Sequence, residues 1–344
     1  MHNISVIVPF YNAEATIERV LASFISNKEF IKEVILVNDR SDDNTLSKID
    51  NFKSFYDIKV IDNQGNKGPG PARKTGLLAA TGDWITFVDA DDALTPSSLY
   101  YVNKAIQANP EMVLLLTQSM FHETGQLQKN DISFSDYSGG GNYYKREYLI
   151  ENKLFPHDDL FMVEDEYFTN IAEKFIMLYG NPDTMIARYE YPTYNVHHDW
   201  EERLSFAYSH WTKYICKYRL LFIRYYSEFF ENDLANREVI LSETLNGLIY
   251  CYCLYLSLKA NEENLPFDED EALQEFYDAI VYIMQAYEIS SDQIADYFYK
   301  NPETVHSIYK ATFDSVGFTF AKSFAFRSFI KFVLSKYGKE ENND

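Results

Sequence analysis

An α/β unit built on a mostly parallel sheet with helices on both faces, followed by an α-helical C-terminal unit, is the fold class that three observations predict. Over the first hundred or so residues, short β-branched apolar runs alternate with segments of helical spacing. Polar and acidic residues gather immediately after each apolar run, where parallel sheets bind their ligands. Beyond about residue 203 the alternation gives way to long, aromatic-rich helical stretches. These observations divide the chain into 1–202 and 203–344.

The elements follow in order. ISVIVP (4–9) is an apolar strand. AEATIERVLASFISN (13–27) is a helix with Ile17, Val20, Leu21 and Phe24 on one face. EVILVND (33–39) is a second strand, and SDDNTLSKIDNF (41–52) opens with N-cap chemistry and continues as a helix. DIKVIDN (57–63) is a third strand, GPARKTGLLAAT (70–81) a helix and DWITFVD (83–89) a fourth strand. TPSSLYYVNKAIQAN (95–109) is a helix with Pro96 suited to its first turn. MVLLLTQSM (112–120) is a further strand, and GGGNYYKREYL (139–149) a Gly-rich entry into a short helix. FMVEDEYFTNIAEKFI (161–176) is a helix with acids at its start, and 184–200 a strand running into a His-bearing loop. Helices are expected near 203–231, 236–261, 268–288, 291–300 and within 303–338.

Composition narrows the function classes. The 344 residues carry a net charge of −21, which repels a nucleic acid backbone, so no nucleic acid partner is expected. Tyr (28) and Phe (26) are frequent enough to demand an aromatic core, an aromatic surface, or both. Cys216, Cys251 and Cys253 lie in apolar helical surroundings and read as reduced core residues of a cytoplasmic protein. The segment MHNISVIVPF reads as a strand and not as a signal peptide. The most apolar stretch, LIYCYCLYLSL (248–258), is shorter than the ~18 apolar residues of a membrane span.

The strongest chemical signal is TGDWITFVDADDAL (81–94), a strand that ends in Asp89, Asp91 and Asp92. Carboxylates this close hold a divalent cation well, since Mg²⁺ and Mn²⁺ prefer oxygen ligands shared with phosphates. The structural alternative is an acidic turn that caps the next helix through Asp91 and Asp92. Four stretches together carry a resemblance: VIVPFYNAE (6–14), VNDRSDDNT (37–45), NKGPGPARKTGLLAATGDWITFVDADD (66–92) and VEDEYF (163–168). In order and spacing they resemble the family 2 glycosyltransferases, which have a GT-A fold, over roughly residues 3 to 200. The resemblance implies an inverting, Mn²⁺- or Mg²⁺-dependent enzyme that takes a nucleotide-sugar donor, most often a UDP-sugar. It implies a hydroxyl acceptor in a glycan, lipid-linked or glycoprotein substrate of bacterial surface type.

Residue by residue, the resemblance places Pro9, Tyr11 and Glu14 against the nucleotide base and Asp39 on the uracil edge, with Asn38 where the family usually has a second acid. Arg73 matches the Arg of an ARN triplet whose Asn is here Lys74. Lys67 would approach the ribose or a phosphate, or be a solvated loop lysine. Asp91 is the metal ligand, and Asp89 serves the ribose or a metal-bound water. Asp92 either caps the next helix or assists the metal. Asp165 is the base that takes the acceptor proton, with Glu164 the runner-up, against the alternative of first-turn acids favoured by the helix dipole. His198 is a further metal or phosphate ligand, or a packing histidine, and His157 a weaker acceptor-side candidate. SGGGNYYKR (138–146) lines the acceptor pocket, or links to core tyrosines.

Two readings of the basic, Phe-rich stretch 318–339 stand. It docks peripherally on anionic lipid at the inner membrane face, or it packs on the helical unit or a second subunit of a homo-oligomer. A nucleotidyltransferase would place a basic Gly-rich loop after the first strand, where this chain has PFYNAE. The non-enzyme alternative is a degenerate GT-A domain acting as a scaffold or partner-binding subunit of a glycan-assembly complex. Asp39, Asp89, Asp91 and Asp165 argue against it.

Overall fold

The computed structural model describes residues 3–121, 127–128, 140–161, 163–197, 208–260, 268–301, 303 and 326–338. The chain divides into two compact units, Met1–Arg203 and Leu204–Asp344.

In the first unit, β1 (Ile4–Phe10), β2 (Ile31–Asn38), β3 (Ile58–Asp62) and β4 (Trp84–Phe87) run parallel. The sheet continues through β5 (Ala93–Leu94), β6 (Leu114–Phe121), β7 (Leu127–Gln128), β8 (Tyr143–Lys145) and β9 (Ile186–Val196) in the order β3-β2-β1-β4-β8-β6-β9-β5, with β7 beside β6. Strand β8 is antiparallel to both β4 and β6, so β6 and β9 run in the same sense as β1 to β4. The carboxyl ends of all six therefore share one edge.

Helices α1 (Ile17–Ser23) and α4 (Ser98–Ala108) cover one face, where Val6, Val8 and Phe10 pack with Val20, Leu21, Phe24, Leu99 and Val102. Between them come α2 (Thr45–Ile49) and α3 (Pro69–Ala79). Helix α3 covers the other face over Ile7. So does α6 (Glu164–Tyr179), whose Phe168 meets Phe87 edge-on at 5.7 Å. Each fully buried aliphatic chain of this layer is worth about 1.5–3 kcal/mol. Short helices α5 (Arg146–Glu151) and α7 (Pro182–Met185) lead out of β8 and into β9.

The elements differ from the sequence expectation where tertiary contacts intervene. Strands β5 and β8 have two and three residues, too short to show a period. The stretch expected to enter a helix at 139 instead forms β8 first, pairing Tyr143–Lys145 with Trp84–Thr86. Helix α1 gives way to a 3₁₀ turn because the buried Asn27 donates to Thr95 O (3.1 Å) and accepts from Leu99 N–H (3.0 Å). Helix α2 starts at Thr45 because Asp43 takes the Thr45 N–H (3.0 Å) and hydroxyl (2.6 Å) itself. Pro96 lies ahead of α4 and not within its first turn.

In the second unit, α8 (Tyr208–Phe229), α9 (Arg237–Ala260), α10 (Glu269–Tyr287), α11 (Ser291–Lys300) and α12 (Phe326–Tyr337) pack on an aromatic core. Helix α11 starts with the reciprocal Ser290–Gln293 capping box, and α10 with Asp268 accepting from Glu271 N–H. The free thiols Cys216, Cys251 and Cys253 are buried. Within 318–339, the described part packs. Phe326, Phe329, Ile330 and Val333 are buried, with Tyr252 4.8 Å from both phenylalanine rings. Arg327 pairs with Asp296, and Lys336 with Asp270 (2.6 Å). Over 326–337 this fits the packing reading, with the apolar face covered by α9 and its neighbours, and 318–325 lie outside the described residues.

Among the described residues, α9 fills its expected bounds, but its apolar stretch is longer than the 248–258 run. Its stretch Arg237–Leu256 has the length and mean hydropathy (1.4) of a membrane span. Leu248, Ile249, Cys251 and Tyr252 are nonetheless buried inside the unit, as in a core helix.

Candidate active site

The parallel strands deliver their ends to one edge, and Pro9 helps decide where the acid turn leaves the sheet. The last β1–β4 rung is Val88 N–H to Ile7 O at 3.0 Å. The next rung would need an N–H from residue 9, which proline lacks. The chain is released there and turns through Asp89–Asp92, closed by Asp92 N–H to Asp89 O at 3.2 Å.

Asp39 follows β2 and is buried. One oxygen accepts from Gly68 N–H (2.8 Å), the other from the Asn63 amide (2.6 Å) and from Arg40 (3.3 Å). Gly68 has φ +141, a conformation that suits glycine, and it leads into α3. Tyr11 is 46% exposed, and the Lys67 ammonium lies 3.6 Å from its ring centre. Glu14 grips the loop ahead of α2 instead, accepting from Asn44 N–H (3.2 Å) and the Asn44 amide (3.2 Å).

Arg73 lies on the buried face of α3 and joins two of the predicted groups. It bonds Asp89 at 2.6 Å through one nitrogen and Glu164 through the other. Glu164, Asp165 and Glu166 form the first turn of α6, where the helix dipole favours acids. Val163 immediately before them has φ +59, a β-branched residue in the left-handed region, at a cost of about 1–3 kcal/mol. Burial pushes the Glu164 carboxyl up, to about 8, against the pull of Arg73 and with the further push of Asp165. Burial opposes the charge on Arg73, but Glu164, Asp89 and Asp165 together outweigh it and hold the guanidinium cationic. One guanidinium thus faces three carboxyls, so the upward direction for Glu164 is the expected one. Lys74, in place of the expected Asn, pairs with Asp158 (2.5 Å) beside His157.

Carboxylate oxygens of Asp89, Asp91 and Asp92 lie within 4.8 Å of one another. This all-oxygen set fits a hard divalent cation such as Mg²⁺ or Mn²⁺. Asp89 and Asp91 are half-buried, whereas Asp92 is 2% exposed and bonds the Tyr194 hydroxyl and the His197 N–H. Asp92 therefore does not cap α4. His198 lies outside the described residues. Tyr143 and Tyr144 of the stretch offered as acceptor lining are fully buried core residues.

The structure thus brings Pro9, Tyr11, Asp39, Lys67, Arg73, Asp89, Asp91, Glu164 and Asp165 to the edge where β1, β2 and β4 end, and Glu14 to the loop beside it. Sequence reasoning missed Asn63 and Tyr194. Asn63 lies in the polar cluster after β3, so its position was visible though its partner was not. Tyr194 meets the acids across more than 100 residues, and nothing local marks it.

Known proteins share the sequence pattern and the fold of this unit. Residues 5–171 match the family model for glycosyl transferase family 2. The poly(ribitol-phosphate) beta-N-acetylglucosaminyltransferase TarS of Staphylococcus aureus is 31% identical over 186 residues, covering 49% of this chain and 32% of TarS. The GalNAc(5)-diNAcBac-PP-undecaprenol beta-1,3-glucosyltransferase of Campylobacter jejuni is 28% identical over 195 residues, covering 52% of this chain and 60% of that protein. The chain matches about a third of TarS and less than two thirds of the Campylobacter protein. The crystal structure of S. aureus TarS 1–349 in complex with UDP-GlcNAc superposes with a TM-score of 0.61 at 18% identity, covering 99% of this chain and 94% of that one. The first unit is therefore a GT-A fold with a helical region following it.

Proposed function

The N-terminal unit belongs to glycosyl transferase family 2, and on that premise we propose that the chain is a metal-dependent, inverting glycosyltransferase moving a sugar from a UDP-sugar to a hydroxyl of a bacterial surface glycan. The observation that carries this is the convergence at one sheet edge of the Asp39 network, the Arg73–Asp89 pair, the acid turn and the start of α6. The relatives' β-linkages are the products that inversion gives from an α-linked nucleotide sugar.

In this reading Pro9 and Tyr11 flank the base, and Asp39, fixed by Gly68 and Asn63, bonds its edge. Lys67, on the solvent side of Tyr11, lies within reach of the ribose or a phosphate. Asp89 and Asp91 would hold a Mn²⁺ or Mg²⁺ ion, which when bound neutralises charge on the leaving diphosphate. Arg73 keeps Asp89 oriented from the protein side and adds positive charge behind it. Asp165, at the more open flank of α6, accepts the acceptor's hydroxyl proton as that oxygen bonds the anomeric carbon. The bond from that carbon to the diphosphate breaks, and UDP leaves with the electron pair. Buried Glu164 holds Arg73 and contributes no proton transfer of its own.

Calorimetric titration of UDP with and without Mn²⁺, on wild type and Asp91→Ala, tests the reading. Micromolar-range binding that needs Mn²⁺ and disappears in Asp91→Ala is the expected result. Folded wild type that binds no UDP removes the reading.

A further inference from the structure

Tyr194 lies near the end of β9 and is 1% exposed. Its hydroxyl accepts from the Asp89 N–H (3.1 Å) and donates to Asp92 Oδ2 (2.9 Å). One hydroxyl therefore uses its acceptor on the first residue of the acid turn and its donor on the last. The other Asp92 oxygen accepts from the His197 N–H (3.0 Å), so Asp92 binds the end of β9 twice. The segment leaving the turn is locked to the same tyrosine, since Leu94 of β5 pairs with Tyr194.

The ring's seat is built for it. A Cβ at residue 140 would lie 2.2 Å from Tyr194 Cζ, and one at residue 141 would lie 2.7 Å from Tyr194 Cβ. Gly141 also has φ +83. The Gly-rich stretch that the sequence offered as an acceptor lining is thus what admits this ring. The Thr117 hydroxyl holds the stretch in place by donating to Gly141 O (2.6 Å). The start of α1 also grips the turn backbone, with the hydroxyl of the preceding Thr16 on Ala90 O (2.6 Å) and Arg19 on Asp91 O (2.8 Å).

We infer that Tyr194 is a positioning residue for the divalent cation: it fixes the 89–92 turn through Asp92, so that Asp92 is the anchor and Asp89 and Asp91 are the cation-facing carboxylates. This rests on the donor-site reading above. Two carboxylates bind a cation tightly only if they converge before it arrives, and groups behind a ligand that set its orientation commonly account for 10–100-fold in metal affinity. Phenylalanine at 194 keeps the ring in its glycine seat and removes the hydroxyl that joins Asp89 N–H to Asp92.

The test is Mn²⁺ affinity, measured by electron paramagnetic resonance on wild type, Tyr194→Phe, Asp92→Asn and Asp91→Ala, with thermal melting as the control for folding. Tyr194→Phe is expected to weaken Mn²⁺ binding by about 10–100-fold. Raising Mn²⁺ should restore its UDP binding to the wild-type level. Asp92→Asn, which keeps the side chain's size and one acceptor, is expected to weaken Mn²⁺ binding by about 10-fold, the low end of that range, and serves if Tyr194→Phe fails to fold. Tyr194→Phe, or in its place Asp92→Asn, binding Mn²⁺ as wild type does while Asp91→Ala binds none overturns this inference and leaves the donor site standing. A loss of UDP binding in Tyr194→Phe that saturating Mn²⁺ does not restore also overturns it. Wild type that binds no Mn²⁺ overturns both.

Discussion

Glu33 and Glu164 are both buried acids of the first unit, at opposite edges of the same sheet, and their surroundings treat them in opposite ways. At the amino edge Glu33 Oε1 accepts from the Ser5 hydroxyl, the Thr81 N–H and the Thr81 hydroxyl, each at 2.7 Å, and Lys59 takes the other oxygen. Burial pushes Glu33 up, but these donors outweigh it and hold the carboxyl down at about 2. At the carboxyl edge Glu164 shares a single guanidinium with Asp89, and burial carries it up to about 8. One edge is complete as structure. The other holds more carboxyls than cations, which is how a site appears when a charged ligand completes it.

The comparison is broken most severely by Arg73→Ala, which leaves Glu164 and Asp89 facing each other without their cation. It is expected to destabilise the protein by about 3–5 kcal/mol in chemical denaturation. A loss below about 1 kcal/mol would mean that the carboxyl edge tolerates its charges without Arg73. Asp165→Asn should leave the melting temperature nearly unchanged and lower turnover by about 10²–10⁴-fold. Full activity in that variant would move the base elsewhere.

The two glutamates then sharpen the comparison through pH. The folded carboxyl of Glu33 lies below its ordinary value of 4.5. Its stabilisation is therefore present above that value and lost as pH falls toward 2. Glu33→Gln should cost about 2 kcal/mol at pH 7, allowing for the solvent screening of Lys59, and the gap from wild type should close in acid. Glu164 lies above 4.5, so its contribution is present below that value and lost as pH rises through about 8. Glu164→Gln should therefore gain on wild type between pH 5 and 9, a slope opposite in sign to that of Glu33→Gln. Denaturation curves across pH that slope the same way for both variants would undo the contrast.

Much of this was legible from the chain. Wholly buried strands such as β1 are apolar except where a polar group finds a partner, as Ser5 does in Glu33, and the acids of 89–92 stand out because they end such a run. The helical unit was equally readable, since its aromatic stripes repeat at helical spacing. Tyr252, Phe326 and Phe329 then meet as that pattern requires. Both readings of 318–339 stood open in the sequence, because an amphipathic stripe has the same sequence whether it faces lipid or other helices.

By itself, then, the sequence determined the order and kind of the long elements, the edge at which polar residues gather, and the acids placed there. All of these are set by local periodicity and by the exclusion of unpaired charge from a buried strand. Only the tertiary structure decided which distant partners each acid meets. Asp92 became an anchor because β9 runs in the same sense as β4 and brings Tyr194 and His197 to it. Glu164 rose, while Glu33 fell, because of how many donors reached each one across the sheet. Hydrogen-bond partners dozens of residues apart leave no trace in local pattern. Their number and direction, and not the identity of the acid, set what each carboxylate does.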